Sequence, residues 1–305
     1  MYGFNKARII DGSMNEGPKY GSYCLTAVRV RAGWGVVAEH RWPFPRGHVT
    51  WPPVEPPGLD RIARFNRTLS HFRIRSIDEG KRCLAGKTLF GFSVPITRQW
   101  YTAKDGIIEM PHAPFLDQQH AVTAVGYNDS TGLRMFINSW GREWGQSGIG
   151  YLPYEYFNRF VSDGWFTCPM NTGRWLPEIE GQEFSQRVLV VRNPLGHAGV
   201  IIDLWDVPKD IRIGWCFMTL RMDGGPLEIE DYFLKPEFYG TGHQRTLAEK
   251  VLHFAISQEL PIKLWVPYAD IRSRAANFRN LNDFIRTARL NLRPSPHSWA
   301  AYLGE

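Results

Sequence analysis

Residues 120–150 read HAVTAVGYNDSTGLRMFINSWGREWGQSGIG, and this stretch decides the reading of the first half of the chain. Ala121 to Val125 and Leu133 to Ile137 are short apolar runs of strand length. Between them Asn128-Asp129-Ser130-Thr131-Gly132 is turn chemistry, since Asn and Asp side chains bond backbone two residues on. The two runs are predicted to form an antiparallel hairpin. Partners in such a pair have a constant index sum. A turn centred on Asp129 gives 258, and 120 + 138 = 258, so His120 and Asn138 are expected opposite one another on one face. A one-residue slip would part them.

An asparagine amide beside a histidine orients the imidazole so that it can activate a thiol. The amide sets the ring tautomer without adding negative charge, which suits a thiolate–imidazolium pair. Trp140 and Trp144 are placed to shield that bond from water. Taken alone, a His–Asn pair is more often an ordinary satisfied hydrogen bond in a sheet.

Working outward, Ser76-Ile77-Asp78-Glu79 reads as a capping box that opens a short helix, and Gly86 is expected to close it. Thr88 to Val94 reads as a strand ended by Pro95. Trp42 to Gly58 is a proline-rich loop, either a surface crossover or a docking motif.

The run from His120 to Tyr127, followed by Asn138-Ser139-Trp140-Gly141, Trp144-Gly145 and Gly148-Ile149-Gly150-Tyr151, resembles the papain-like cysteine peptidases, chiefly their bacterial forms. Gly35 to Phe44 and Leu84 to Pro95 are similar to further segments of that family, so the resemblance covers about residues 1–168. It implies that His120 is a catalytic base and Asn138 its orienter, with peptide or protein as substrate and no cofactor.

The family's nucleophile lies in a C-G-[SA]-C-[WY] motif at a helix start, ~130–150 residues before its His and Asn. Here the sole early cysteine, Cys24, precedes His120 by 120 − 24 = 96 residues and is followed by Leu25 rather than an aromatic. Six residues before Cys24, where the family has an oxyanion-donating Gln, stands Pro18. Cys24 is therefore read as a small buried residue. The chain is expected to begin downstream of the nucleophile helix and to be inactive alone, with apolar surface exposed where that helix belongs.

Beyond residue 185 the pattern changes to strands at Arg187–Val191, Gly199–Leu204, Ile213–Arg221 and Leu227–Leu234, a helix at Arg245–Ser257, a strand at Ile262–Val266 and a helix at Ala275–Arg289. The turn Tyr239-Gly240-Thr241-Gly242-His243-Gln244-Arg245 links strand to helix, where backbone N–H groups can cradle a pyrophosphate. With Leu260 to Tyr268 after it, this context resembles the GNAT-type N-acetyltransferases. The resemblance implies an acetyl-CoA site at Gly240, Gly242, His243, Gln244 and Arg245, with Glu228 or Glu230 as base and Tyr268 as acid. Tyr239 and Gln244 depart from the family's R/Q-x-x-G-x-G/A turn, which weakens the expected cofactor binding.

The fold class implied is α+β: the sheet- and barrel-rich C-terminal part of a papain-like fold over 1–170, a linker over 171–184, and a GNAT-like mixed α/β domain over 185–305. Net charge is 36 − 30 = +6 with no dense basic run, so a nucleic-acid partner is not expected. No apolar run reaches the ~18 residues of a membrane span, and Met1 to Gly12 lack a signal-peptide core. The chain is read as cytoplasmic. Its four cysteines lack metal-type spacing, so no metal is expected and the thiols are read as reduced. Three functions stay open: an incomplete thiol peptidase, a peptide-binding module that has lost catalysis, and an acetyl-CoA-dependent acetyltransferase.

Overall fold

The computed structural model describes residues 1–17, 21–45, 50–112, 115, 119–161, 163–169, 184–193, 195–221, 225–266, 291–295 and 298–302. Two compact units divide the chain. One gathers Met1–Ser22, Thr26–Phe72 and Cys168–Glu305; the other holds Tyr23–Leu25 and Arg73–Thr167. These boundaries differ from the sequence division at 170 and 185, because most of the first 72 residues pack with the C-terminal sheet.

In the first unit α1 (Tyr2–Ile10), α2 (Cys24–Gly33), α3 (Leu59–Ala63) and β1 (Thr68–Arg73) precede the sheet strands. The meander β7 (Phe184–Arg192), β8 (Ala198–Asp206), β9 (Ile211–Leu220) and β10 (Leu227–Leu234) is antiparallel throughout. From β10 the chain crosses through α6 (His243–Ser257) to β11 (Ile262–Val266), which pairs parallel to β10, as a helical crossover permits. β13 (Ser298–Tyr302) pairs antiparallel to β11, with β12 (Asn291–Ser295) outside it. The sequence reading does not anticipate β12 or β13. The expected helix at 275–289, Tyr268 and linker residues 171–183 lie outside the described residues; Phe184 already belongs to β7.

Both faces of this sheet are covered. Cys216 and Met218 of β9 face the α6 side, with Leu247, Val251 and Ala255 in the same core. Trp215 and Phe217, one residue out of phase, join Tyr2, Ile10, Val30, Leu59 and Leu69 in a second core. A sheet buried on both sides has continuous apolar strands rather than alternating ones, which is how these strands read in the sequence. Two ion pairs lie within this packing. Arg212 Nη2 donates to Asp203 at 2.9 Å, and Arg29 Nη2 to Asp231 at 2.6 Å.

The second unit carries α4 (Ile77–Ala85), α5 (Tyr154–Phe160) and strands in the order β6 (Asp163–Pro169), β2 (Phe90–Pro95), β3 (Gln119–Asn128), β4 (Leu133–Ile137) and β5 (Ile149–Pro153). Each neighbouring pair is antiparallel. Ser76 caps α4 by accepting from the Glu79 N–H at 3.1 Å, while the Glu79 carboxylate accepts from the Arg75 N–H. At the other end Thr88 N–H bonds the Cys83 carbonyl and Lys87 N–H the Leu84 carbonyl, a Schellman closure. The left-handed position falls on Lys87 (φ 59), whereas Gly86 keeps a negative φ; the expected glycine stop is one residue early. Among the described residues no helix is long and apolar enough to cross a membrane.

Candidate active site

The hairpin forms, with a register other than the one expected. Asn128 pairs with Leu133, so the loop is the four residues Asp129 to Gly132, and the index sum beside it is 261 rather than 258. Asn128 Oδ1 accepts from the Ser130 N–H at 3.0 Å and thereby folds that loop. A bulge between Ala124 and Gly126 then changes the sum to 260, pairing Ala124 with Phe136 and Thr123 with Ile137. At 261 His120 and Asn138 would lie on opposite faces of the sheet. The extra residue at Val125 restores the even sum and returns both to the core face. His120 and Asn138 are thus diagonal neighbours, two positions removed from direct opposition.

His120 Nε2 and Asn138 Oδ1 are 2.8 Å apart. The same Oδ1 accepts from the Ser139 backbone N–H at 2.8 Å, which fixes it as the amide oxygen. An oxygen cannot donate, so Nε2 carries the proton and Nδ1 is the basic nitrogen of the neutral ring. Burial pushes His120 below its ordinary pKa, and the bond from Asn138 recovers part of that shift. Asn138 itself is buried and held by its own N–H on the Gly148 carbonyl at 2.9 Å.

The aromatic surroundings are wider than the two expected tryptophans. Trp140 lies on His120 with ring centroids 4.6 Å apart at 31°. Trp144 meets Trp140 edge-on at 5.6 Å and donates from Nε1 to the Trp100 carbonyl at 2.6 Å, so it buttresses rather than covers the imidazole. Trp100 approaches His120 edge-on at 6.2 Å, and Tyr101 stacks on Trp140 at 4.9 Å and 8°. Nothing periodic in the sequence marks Trp100 and Tyr101, which sit in a 3-10 turn at Arg98–Thr102. The glycine spacing has a steric cause: a Cβ on Gly150 would lie 2.3 Å from the Phe136 ring, next to Trp144.

Two thiols belong to this unit. Cys83 is buried and donates to the Thr88 carbonyl at 3.3 Å. Cys24 opens α2, where the helix dipole would ordinarily favour a thiolate. Burial and the Asp163 carboxylate, which accepts from the Cys24 N–H at 2.8 Å, instead push the thiol well above its usual pKa. Neither thiol bonds to the His120 ring. Burial likewise raises Cys168 and Cys216 in the other unit.

In the first unit, Gly240 (φ 76) and Gly242 (φ 87) are left-handed, and Gly242 precedes α6. The N–H groups of Arg245 and Thr246 both bond the Gly242 carbonyl, while His243 Nδ1 meets the Thr241 hydroxyl at 2.6 Å. Arg245 Nε donates to Glu249, and the Gln244 carbonyl accepts from Tyr232. Of the two strand carboxylates, Glu230 accepts from Thr219 at 2.6 Å and Glu228 pairs with Lys263 at 3.3 Å. Both are buried in β10.

Residues 76–159 match the sequence model of the papain family cysteine protease. The chain is 26% identical over 183 residues to an uncharacterised peptidase C1-like protein of Acanthamoeba polyphaga mimivirus, covering 54% of this chain and 57% of that protein. It is 28% identical over 160 residues to chymopapain of Carica papaya, covering 52% and 42% respectively. The chain thus spans about half the length of the curated relatives it matches. Among solved structures it is similar to xylellain, a cysteine protease from Xylella fastidiosa, with a TM-score of 0.51, 24% identity and coverage of 55% of this chain and 69% of that one. That likeness establishes a mixed α+β, papain-like fold, and the papain family model matches the segment that carries His120 and Asn138.

Proposed function

We propose that His120 and Asn138 are the base and orienter of a thiol-peptidase site, and that this chain by itself binds peptide without cleaving it. The observation that carries the reading is the Nε2–H bond to Asn138 Oδ1, which leaves Nδ1 as the proton acceptor under an aromatic roof. In such a site the ring takes a thiol proton, sulfur adds to the peptide carbonyl, and the ring returns the proton to the leaving amine. The chain's own thiols work against that sequence. Cys24 is held protonated by burial and Asp163, Cys83 is engaged with a backbone carbonyl, and Pro18 stands six residues before Cys24, where the family has its oxyanion glutamine.

The test is a titration of the purified chain with a fluorogenic peptide amide. Saturable binding without release of the fluorophore is expected, weakened in Trp140→Ala. Saturable cleavage that disappears in His120→Ala would overturn the non-catalytic half of the reading; absence of any binding would overturn the peptide-binding half.

A second reading concerns residues 185–305 as a GNAT-like domain that takes acetyl-CoA. Its support is topological: β10 pairs with β11 in parallel at Leu227, Glu228 and Ile229 alone, beside an irregularity between Ile229 and Asp231, and a left-handed glycine opens the crossover helix. Against cofactor affinity stand the Arg245 N–H, which bonds the Gly242 carbonyl, and the engagement of the Arg245 side chain by Glu249. Calorimetry with acetyl-CoA decides it, and no heat at millimolar cofactor would remove the reading.

A further inference from the structure

The β3–β4–β5 sheet has a second concavity, on the face away from His120 and Asn138. Along β4, Arg134 and Phe136 are buried while Leu133, Met135 and Ile137 alternate outward. Leu133 and Met135, with Tyr151 of β5, line a cavity of ≈ 450 Å³, a size typical of small-molecule sites. Its remaining wall is the segment from Asp105 to Ile107. Ile107 makes a parallel bridge to Tyr151, and the Ile108 N–H bonds the Tyr151 carbonyl at 2.9 Å. Gly106 permits this close approach, since at φ +74 a Cβ would lie 2.3 Å from the Ile149 carbonyl oxygen. Asp105 beside it holds a left-handed conformation (φ 52, ψ 21), unusual for a residue with a Cβ and recurrent at ligand sites.

Most polar groups on these walls bond one another. The Tyr151 hydroxyl donates to Gln146, Asn128 Oδ1 accepts from Ser130, and the Thr131 hydroxyl donates to the Asn128 carbonyl. The Asp105 carboxylate makes no hydrogen bond or ion pair among the described residues, and it is the one charged group lining the cavity there. Beside it Ile107 is 49% exposed, which is large for such a side chain in a concave site. A lone carboxylate next to the Tyr151 ring and aliphatic surface favours a cation with an apolar body, through direct attraction and cation–π contact.

We propose that this cavity binds a small organic cation, an ammonium group on an aromatic or branched aliphatic body, with the ammonium at Asp105 and the body against Tyr151, Leu133 and Met135. The inference does not depend on the peptidase reading, because the residues used are separate from the His120–Asn138 pair. The experiment is calorimetric titration of the full chain with 2-phenylethylammonium, with 3-phenylpropanoate as a ligand of similar body and opposite charge. The amine is expected to bind saturably and the acid not at all. Asp105→Asn should weaken the amine about tenfold, the loss of one charge-assisted contact. Asparagine adopts left-handed backbone readily, so that variant keeps the turn. Met135→Trp should abolish binding by filling the cavity, and His120→Ala should leave it unchanged. No saturation by the amine, equal binding of the acid, or an unchanged dissociation constant in Asp105→Asn would each overturn the proposal.

Discussion

Replacing Asp231 by leucine should destabilise the first unit by about 3–5 kcal/mol, the cost of removing one partner from a buried ion pair. The magnitude follows from four contacts on one carboxylate. Oδ1 accepts from Arg29 Nε at 3.0 Å and Nη2 at 2.6 Å; Oδ2 accepts from His71 Nε2 at 2.8 Å and Trp215 Nε1 at 2.9 Å. Asp231 and His71 are fully buried and Arg29 nearly so. Burial alone would raise the Asp231 pKa, but the Arg29 guanidinium and the His71 bond overrule it and hold the carboxyl well below the usual range. Burial outweighs the carboxylate's pull on His71, whose pKa falls, so that ring donates as a neutral imidazole. Leucine therefore strips a buried guanidinium of this counter-charge and two ring N–H groups of their acceptor. Urea unfolding followed by tryptophan fluorescence measures the loss, which corresponds to roughly 6–20 °C in Tm at 2–4 °C per kcal/mol. Arg29→Met combined with Asp231→Leu should recover the part due to the stripped guanidinium, since apolar residues replace buried ion pairs at little cost, while the His71 and Trp215 N–H groups stay without this acceptor. A single-variant cost under about 1 kcal/mol, or a double variant as unstable as the single one, would refute the reasoning. Because the folded pKa of Asp231 lies below its unfolded value, this stabilisation is present above about pH 4 and lost as pH falls further.

Lys235 is buried over the Trp34 ring at 4.4 Å, and burial lowers its pKa from 10.5 to about 8. Its folded pKa is thus depressed, so stability should rise between pH 8 and 10.5. Lys235→Met should stabilise the fold at pH 7 by at most about 3.5 kcal/mol, less the lost ring contact and the Glu237 ion pair; a lower urea midpoint would count against this. The His120 ring should titrate below 6.5 by NMR, and lower still in Asn138→Ala, because the amide bond raises the pKa that burial depresses; an unchanged midpoint in the variant would deny the bond its orienting role. Ser76→Ala should cost about 1 kcal/mol of stability through the lost α4 cap, measurable in the same urea assay.

Local chemistry determined a good deal of this molecule. The strands Leu133–Ile137, Leu227–Leu234 and Ile262–Val266 end where their turn residues say they should. Ser76 caps its helix for a reason visible in four residues. The His120–Asn138 pair was legible because parity is robust: the expected sum of 258 and the observed 260 put both residues on one face, even though the loop is longer and a bulge intervenes. The bulge is missed because the strand reads only as Ala121 to Val125, although a glycine such as Gly126 inside a strand is a bulge signal. Trp100 and Tyr101 join the site only through packing. The division into units was likewise decided by tertiary structure. Apolar runs such as Gly199–Leu204 announce a sheet buried on both faces but not what buries it. The cover on one face comes from residues more than a hundred positions earlier, including α2, which carries no apolar stripe of its own. Periodicity records how a segment meets its surroundings, and the identity of a distant partner is settled only when the chain closes on itself.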